Sequence, residues 1–325
     1  MSDPHGAPRS QQLRIGTRAS ALALWQAHHV EGLIRALAGA PPVELIPIST
    51  TGDERTDVPL WAVRGRAFFT KEIDRALLEG RIDLAVHSLK DLPTAIEAGL
   101  TLAAVLRRED PRDALLSRGG ERLSQLPRGA RLGTSSLRRR AFLTRARPDL
   151  TLLELRGNVP TRLERLDRGD YDAIVLAAAG LKRLGLEHRI TQHLPPQEFP
   201  PAVSQGAIGI CTRADDRRSQ DWLKPLDHLA TRLATLAERS LLERIEGGCQ
   251  VPLGALATAA GADLHLHAAV CALEGSRLLR SSGEGEASMA GAAALGVRVA
   301  SHLIEAGAAD LIAAERGVEG RAEAP

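Results

Sequence analysis

The chain has 325 residues, of which 44% are hydrophobic and 25% charged, a composition typical of a globular protein of two or three domains. The formal net charge is only +2, yet only four of the 42 basic residues are lysine, which reflects either genomic drift or planar recognition of carboxylate or phosphate by arginine. Aromatic residues make up 2%, which argues against a surface that stacks single-stranded bases, and no run approaches the ~18 apolar residues of a membrane span.

The first elements alternate between strand and helix. MSDPHGAPRSQQ has no apolar stretch, so we expect a disordered lead-in and no secretory signal. LRIGTRAS then predicts a strand and a turn, and Ser20 caps a helix that ends at Gly39. One face of this helix carries Leu22, Trp25, His29, Leu33 and Leu37. A second helix, TKEIDRALLEG, precedes the buried strand IDLAVHSL, which Lys90, Asp91 and Pro93 close.

Two segments of the chain echo each other. LRIGTRAS at 13–20 and ARLGTSSLRRR at 130–140 each indicate a short strand, a Gly-Thr turn and a serine that enters a helix. Each is followed by a strand that begins near an aspartate, Asp83 in one case and Asp172 in the other. Strands and helices that alternate with short turns predict mainly parallel sheets, so we interpret the echo as two related α/β lobes.

Beyond about residue 225 the pattern becomes that of a separate α+β domain. A long amphipathic helix, HLATRLATLAERSLLERIEGG, carries on one face Leu229, Leu233, Leu236, Leu241 and Ile245. DLHLHAAVCAL alternates with period two, and the turn EGS joins it to RLLRSS, which predicts an antiparallel hairpin. MAGAAALGVRVASHLIEAG predicts a closing helix, followed by a frayed tail.

The turn GTSSLRRR could bind an anion. Backbone N–H groups and the dipole at a helix start favour negative charge, and guanidinium groups bind carboxylates with two hydrogen bonds. Side chains that share this rim of the lobe are Ser136, Arg138, Arg139, Arg140, Arg156 and Arg162. Arg18 and Ser20 in the echoing turn favour two lobes that face one polyanion. The alternative is that these arginines only cover a solvated helix face.

Two further motifs offer catalytic groups. In VHSLKDLP, Lys90 and Asp91 adjoin at a strand end, and Asp91 could stabilise a cation or move a proton; a plain turn aspartate is the alternative. In EGGCQVPLG, small neighbours leave the Cys249 thiol reachable as a nucleophile, although an inert loop cysteine is commoner. Cys211 and Cys271 lie in apolar runs typical of a core. Cysteines without metal-ligand spacing indicate a reducing compartment, so we expect a cytoplasmic protein without metal.

Together these motifs resemble the porphobilinogen deaminase family. The resemblance runs from about Arg14 to about Gly307 through IGTRASALALWQA, FFTKEIDRALLEGRIDLAVHSLKDLP, LGTSSLRRR, RPDL–LRGN, YDAIVLAAAGLKRLGL, PAVSQGAIGI and LERIEGGCQVPLGA. VHSLKDLP and GGCQVP are highly specific to the family.

The resemblance implies a transferase of tetrapyrrole biosynthesis that joins four porphobilinogen units head to tail, releases ammonia and forms 1-hydroxymethylbilane. It implies a dipyrromethane cofactor, made of two porphobilinogen units and thioether-linked to Cys249, and a catalytic Asp91 that stabilises the azafulvene cation formed on deamination. The cofactor contacts that it implies are Lys90, Asp91, Ser136, Arg138, Arg139 and Arg162. The contacts to porphobilinogen and the growing polypyrrole are Arg18, Ser20, Arg156 and Arg183.

The resemblance also implies a fold of two periplasmic-binding-protein-like (type II) α/β lobes and a third, smaller α+β domain, an antiparallel sheet covered by helices. The expected division is a lead-in at 1–12, a first lobe at 13–107 plus 207–225, a second lobe at 108–206, the cysteine-bearing domain at 226–313 and a tail at 314–325. We expect a monomer without nucleic-acid or membrane partners.

Four segments depart from the family's usual pattern. They are Gly65-Arg66-Ala67-Phe68-Phe69 for G-K-G-x-F, Pro160 for the second glycine of R-G-N-V-G-T, Ser204 for the glycine before Q-G in P-A-V-G-Q-G, and Cys211 for a frequent glutamate. None removes a proposed catalytic residue. Two other functions remain open from the residues alone: a non-catalytic two-lobed carrier of a polycarboxylate, and an arginine-rich nucleic-acid binder, which the near-neutral charge disfavours.

Overall fold

The computed structural model describes residues 12–50, 70–245 and 251–313. The predicted lead-in and tail, the segment 65–69 and Cys249 lie outside these described residues. Within them, no helix is long and apolar enough to cross a membrane.

Thirteen strands and eight α-helices are described. In chain order the strands are β1 Leu13–Thr17, β2 Val43–Pro47, β3 Leu84–Ser88, β4 Leu100–Val105, β5 Asp113–Ser117, β6 Arg131–Gly133, β7 Thr151–Leu153, β8 Ala173–Ala177, β9 Gln192–His193, β10 Ile208–Arg213, β11 Leu253–Ala260, β12 Asp263–Cys271 and β13 Leu278–Glu286. The helices are α1 Ala21–Arg35, α2 Lys71–Leu78, α3 Leu137–Ala146, α4 Val159–Asp167, α5 Ala178–Arg183, α6 Arg217–Leu223, α7 Leu229–Arg244 and α8 Met289–Glu305.

The strands form three sheets, and two of them repeat one plan. The first has the order β2-β1-β3-β10-β4 and the second the order β7-β6-β8-β5-β9. In each, the second strand in this order (β1 or β6) pairs in parallel with its two neighbours, and the two remaining strands join antiparallel. The predicted α/β class with two related lobes is therefore confirmed, although both sheets are mixed rather than purely parallel.

An arginine–aspartate pair recurs at the same place in both lobes. Asp83 accepts hydrogen bonds from the Arg14 backbone N–H and guanidinium, at 2.9–3.0 Å. Asp172 accepts the equivalent bonds from Arg131, at 2.8–3.3 Å. Each pair links the start of one strand, β1 or β6, to the residue just before its parallel neighbour, β3 or β8. The sequence echo therefore reflects the same arrangement in both lobes.

Helix α1 begins as predicted but buries a different face. The Ser20 hydroxyl accepts from the Ala23 N–H, and the helix ends at Arg35 rather than near Gly39, because its last turn tightens to a Leu37 N–H bond to the Ile34 carbonyl. The side chains that pack into the lobe are Gln26, Ala27, Val30 and Ile34. Trp25 and His29, on the predicted face, are exposed.

The third domain is a three-stranded antiparallel sheet, β11-β12-β13, covered by α7 and α8. The predicted hairpin is the β12–β13 pair. On α7, Leu233, Leu241 and Ile245 enter the core as predicted, whereas Leu229 in the first turn is exposed. The fold class of the sequence prediction thus holds for this domain too.

The chain passes between the two lobes twice, near residues 106–109 and 204–208. We call these two connecting segments the hinge. Leu106 N–H bonds to the Ile208 carbonyl and Glu109 N–H to the Gly206 carbonyl, which places β10 in the first sheet. Beside this crossing, Ser204 has φ 63°, a left-handed conformation that glycine adopts at lower cost. The division into lobes at 107–108 and 206–207 stays a prediction.

The hinge is anchored to the third domain through one buried carboxylate. Glu238 on α7 accepts from Arg108 Nη1 at 2.6 Å, from the Ser204 N–H at 2.6 Å and from the Ala257 N–H at 2.8 Å. These bonds satisfy a fully buried charge and fix the strained backbone of Ser204.

Candidate functional site

A short 3-10 helix at the end of β3, Leu89–Asp91, places two adjacent charges on two neighbouring cavities. Lys90 lines the first cavity and Asp91 the second. The backbone turns here because Leu89 N–H bonds to the Ala207 carbonyl and Leu92 N–H closes the 3-10 turn on Leu89. A strand end of an open α/β sheet thus presents both groups, as the sequence predicted.

The first cavity lies where the three domains meet. Its polar lining consists of Lys90 from the first lobe, Ser136 and Arg138 from the second, and Arg239 from α7 of the third domain. Val251, two residues after Cys249 in the sequence, also lines it. Arg239 donates to the carbonyls of the 92–94 segment that follows Lys90, so the third domain fixes this wall.

The second cavity lies on the first-lobe side of the cleft. Its polar lining residues are Arg18, Ser20, Gln26, Thr70, His87, Ser88 and Asp91. Gln26 and Ser88 bond to each other at 2.8 Å, which joins α1 to the end of β3. Burial, with the nearby Arg18, lowers the pKa of His87 to about 4, so its imidazole is neutral at physiological pH.

A carboxylate absent from the sequence prediction organises the predicted arginines. Asp113, at the start of β5, is 1% exposed. It accepts from Arg138 Nη1 at 2.8 Å, from Arg139 Nε and Nη2 at 3.1 and 2.8 Å, and from Gln205 Nε2 at 2.9 Å. Although burial opposes its charge, the two arginines keep the pKa of Asp113 well below its usual value. The arginines of GTSSLRRR are therefore held inside the lobe, and the solvated alternative is wrong for Arg138 and Arg139.

The cluster nevertheless holds more positive than negative charge. Five cationic and two anionic side chains lie close enough to affect one another electrostatically. The cations are Lys90, Arg138, Arg139, Arg156 and Arg162, and the anions are Asp91 and Asp113. Burial, together with Arg139 and Arg156, lowers the pKa of Arg162 to about 10. Desolvated cations in excess over carboxylates favour an anionic ligand.

The charge of the first cavity should depend on pH through Lys90. Burial lowers its pKa from 10.5 to about 8, so above pH 8 the amine loses the charge that would attract a carboxylate. The affinity of this cavity for a small polycarboxylate should therefore fall about tenfold between pH 7 and pH 9, relative to Lys90→Arg, whose guanidinium stays charged. Titration calorimetry at the two pH values measures it; a pH-independent ratio between the two proteins would contradict the prediction.

Of the predicted site residues that the structure describes, four line neither cavity: Arg139, Arg156, Arg162 and Arg183. Arg139 binds Asp113, and Arg156 lies close enough to Arg162 to affect its pKa. Arg183 instead donates from Nη2 to the Gly206 carbonyl of the hinge, at 2.6 Å. Cys249 lies outside the described residues. Of the departures, Pro160 fits the first turn of α4, and Cys211 is a buried thiol whose pKa burial raises to about 12.

The fold and the cleft define a class: two α/β lobes with a cavity lined by cationic side chains where they meet a third domain. The model of the porphobilinogen deaminase dipyrromethane cofactor-binding domain matches residues 13–221, and that of the porphobilinogen deaminase C-terminal domain matches residues 232–305. The chain belongs to the porphobilinogen deaminase family. It is therefore a transferase of tetrapyrrole biosynthesis that forms hydroxymethylbilane from porphobilinogen and uses a dipyrromethane cofactor.

The chain is also similar to several solved structures. They include the B. pertussis BvgS periplasmic domain (14% identity, TM-score 0.37, 66% of this chain and 39% of that chain) and the methionine-binding protein MetQ (14%, 0.43, 66% and 89%). A nutrient-binding protein from Burkholderia cenocepacia, bound to methionine, is similar at 15% identity and TM-score 0.41, over 65% of this chain and 90% of that one.

The first cavity fits the dipyrromethane group. Each of its two pyrroles carries two carboxylates, and the cavity offers Lys90, Arg138 and, through the Asp113 cluster, Arg139. The buried Nε of Arg138 has no hydrogen-bond partner among the described residues, so it is still able to donate. When bound, the group supplies the free pyrrole position to which each new unit is added.

Proposed function

We propose that two groups of residues, in and around the two cavities, divide the hydroxymethylbilane synthase reaction between them. Cys249, Lys90, Ser136, Arg138, Arg139 and Arg162 hold the dipyrromethane primer, and Arg18, Ser20, Arg156 and Arg183 bind porphobilinogen and the growing chain. The observation that carries this proposal is the 3-10 helix that places Lys90 on one cavity and Asp91 on the next. Asp91 therefore stands between the primer and the incoming unit.

The chemistry assigned to Asp91 is electrostatic. When the aminomethyl C–N bond of porphobilinogen breaks, the electron pair leaves with nitrogen, and the pyrrole is left with a positive charge. A carboxylate fixed by the 3-10 helix stabilises that charge without reorganisation. The arginines hold the substrate carboxylates during this step, and the neutral His87 adds no repulsion to the cation.

Attachment of the primer to Cys249 gives the most direct test. The purified protein should be heavier than its sequence by two pyrrole units, and Cys249→Ser should have the bare sequence mass. Cys211→Ser and Cys271→Ser are matched controls, since both thiols are buried in the described structure and should leave the adduct in place. A bare wild-type mass, or an adduct retained in Cys249→Ser, would overturn the assignment.

We further propose a cytoplasmic monomer without nucleic-acid or membrane partners. The preference for arginine over lysine in the composition fits a cleft for small carboxylates. Arg138 lines the first cavity, and Arg138 and Arg139 bind Asp113 rather than facing an open surface. Binding to random DNA that falls steeply with salt would contradict this proposal.

A further inference from the structure

The exposed face of α1 carries an aromatic pair. Trp25 is 36% exposed, and its ring stacks on that of His29, with centroids 5.1 Å apart and planes inclined by 15°. The core of the lobe is packed by the opposite face of the helix, so the tryptophan is not needed there.

The element that reaches this pair is α5 of the second lobe. The guanidinium carbon of Arg183 lies 5.9 Å from the centroid of the Trp25 ring, which is within the range of a cation–π contact. Leu22 of α1 lies near Gly180 of α5, since a Cβ on Gly180 would be 3.5 Å from Leu22 Cδ2. Arg183 thus joins the two lobes beside the hinge.

Arg183 is desolvated here and is held by uncharged groups. Its Nη2 donates to the Gly206 carbonyl at 2.6 Å, and the nearby carboxylate of Glu109 is paired with Lys182 at 2.9 Å. Burial lowers the pKa of Arg183 to about 10, which reflects the cost of keeping its charge. Within the described ranges, no carboxylate forms an ion pair with it. A half-buried guanidinium in this state has a strong tendency to bind an arriving carboxylate.

We propose that Trp25 is a positioning residue for Arg183. Its ring holds the guanidinium at the lobe interface, charged but not neutralised, so that a carboxylate of the substrate or growing chain takes Arg183 from a neutral partner rather than from a competing acid. This inference rests on the proposed role of Arg183 in substrate binding. Because the contact spans the lobes, each such exchange also loosens one interlobe contact next to the hinge.

The test compares Trp25→Leu, Trp25→Phe and Arg183→Leu in the full-length, cofactor-loaded enzyme. Trp25→Leu should raise KM for porphobilinogen about three- to thirtyfold, with kcat within about twofold, because the ring contributes to placing the cation and not to the reaction itself. Trp25→Phe keeps an aromatic face and should recover most of the loss. In the Arg183→Leu background, Trp25→Leu should have no further effect on KM.

The outcomes separate this inference from the proposed function. Unchanged KM in Arg183→Leu would overturn the substrate role of that arginine. A raised KM in Arg183→Leu with an unchanged KM in Trp25→Leu would overturn only the role of Trp25, as would additive effects in the double variant. Trp222→Phe, a half-buried tryptophan packed against the core of the first lobe, is the control and should leave KM unchanged.

Discussion

Asp91→Asn is expected to lower kcat by about 10²- to 10³-fold, with little change in stability. The amide keeps the shape of the side chain but carries no charge, so it gives little stabilisation to the cation left when porphobilinogen loses ammonia. The 3-10 helix is closed by backbone bonds at Leu89 and Leu92 and does not depend on the Asp91 side chain. Release of ammonia under saturating porphobilinogen measures the effect.

A matched control removes an equivalent charge from the same lobe. Glu97 is exposed and lines neither cavity, so Glu97→Gln should leave kcat within about twofold of the wild type. If Asp91→Asn were as active as Glu97→Gln, the electrostatic role of Asp91 would be wrong. If Asp91→Asn does lower kcat, Asp91→Glu tests how strongly the effect depends on the distance between the carboxylate and the cation, because it keeps the charge at a different position.

The sequence could predict the parts of the fold that depend on local patterns. Ser20 and Ser136 cap their helices because a serine before an apolar helical stretch is a local signal. The β12–β13 hairpin followed from its period-two alternation. The echo between the lobes was also local, since LRIGTRAS and ARLGTSSLRRR each form a short strand, a turn and the start of a serine-capped helix. The crossing of β10 into the first sheet came from the family resemblance.

The parts that local patterns could not predict depend on packing between distant elements. Trp25 and His29 fit the apolar spacing of a helix, yet they face the second lobe, because Gln26 and Val30 occupy the side that meets the first sheet. Asp113 follows Asp-Pro-Arg, which resembles a turn, and its partners stand 25, 26 and 92 positions further along the chain. The opposite charges of Arg138 and Asp113 could have suggested an ion pair. However, no motif in the sequence connects two residues that are 25 positions apart.

Asp113→Asn should damage both stability and cofactor loading. Removing the charge leaves the buried guanidinium groups of Arg138 and Arg139 without a counterion, which costs about 3–5 kcal/mol of unfolding free energy. The low pKa of Asp113 means that its stabilisation is present at neutral pH and is lost only as pH falls through that lowered value. The stability difference from the wild type should therefore stay constant between about pH 5 and pH 8.

Two comparisons make that result specific. Asp167→Asn removes a largely exposed partner of Arg189 in the same lobe and should cost at most about 1 kcal/mol. Gln205→Leu removes the bonds from Gln205 Nε2 to Asp113 and to the Pro111 carbonyl but leaves the arginine–aspartate pairs in place, so it should retain the adduct that Asp113→Asn largely loses. Denaturant unfolding and intact mass measure the two effects. Equal losses of stability in Asp113→Asn and Asp167→Asn would mean that the buried arginines do not need this counterion. Full cofactor loading in Asp113→Asn would mean that Arg138 and Arg139 bind the cofactor carboxylates without being oriented by Asp113.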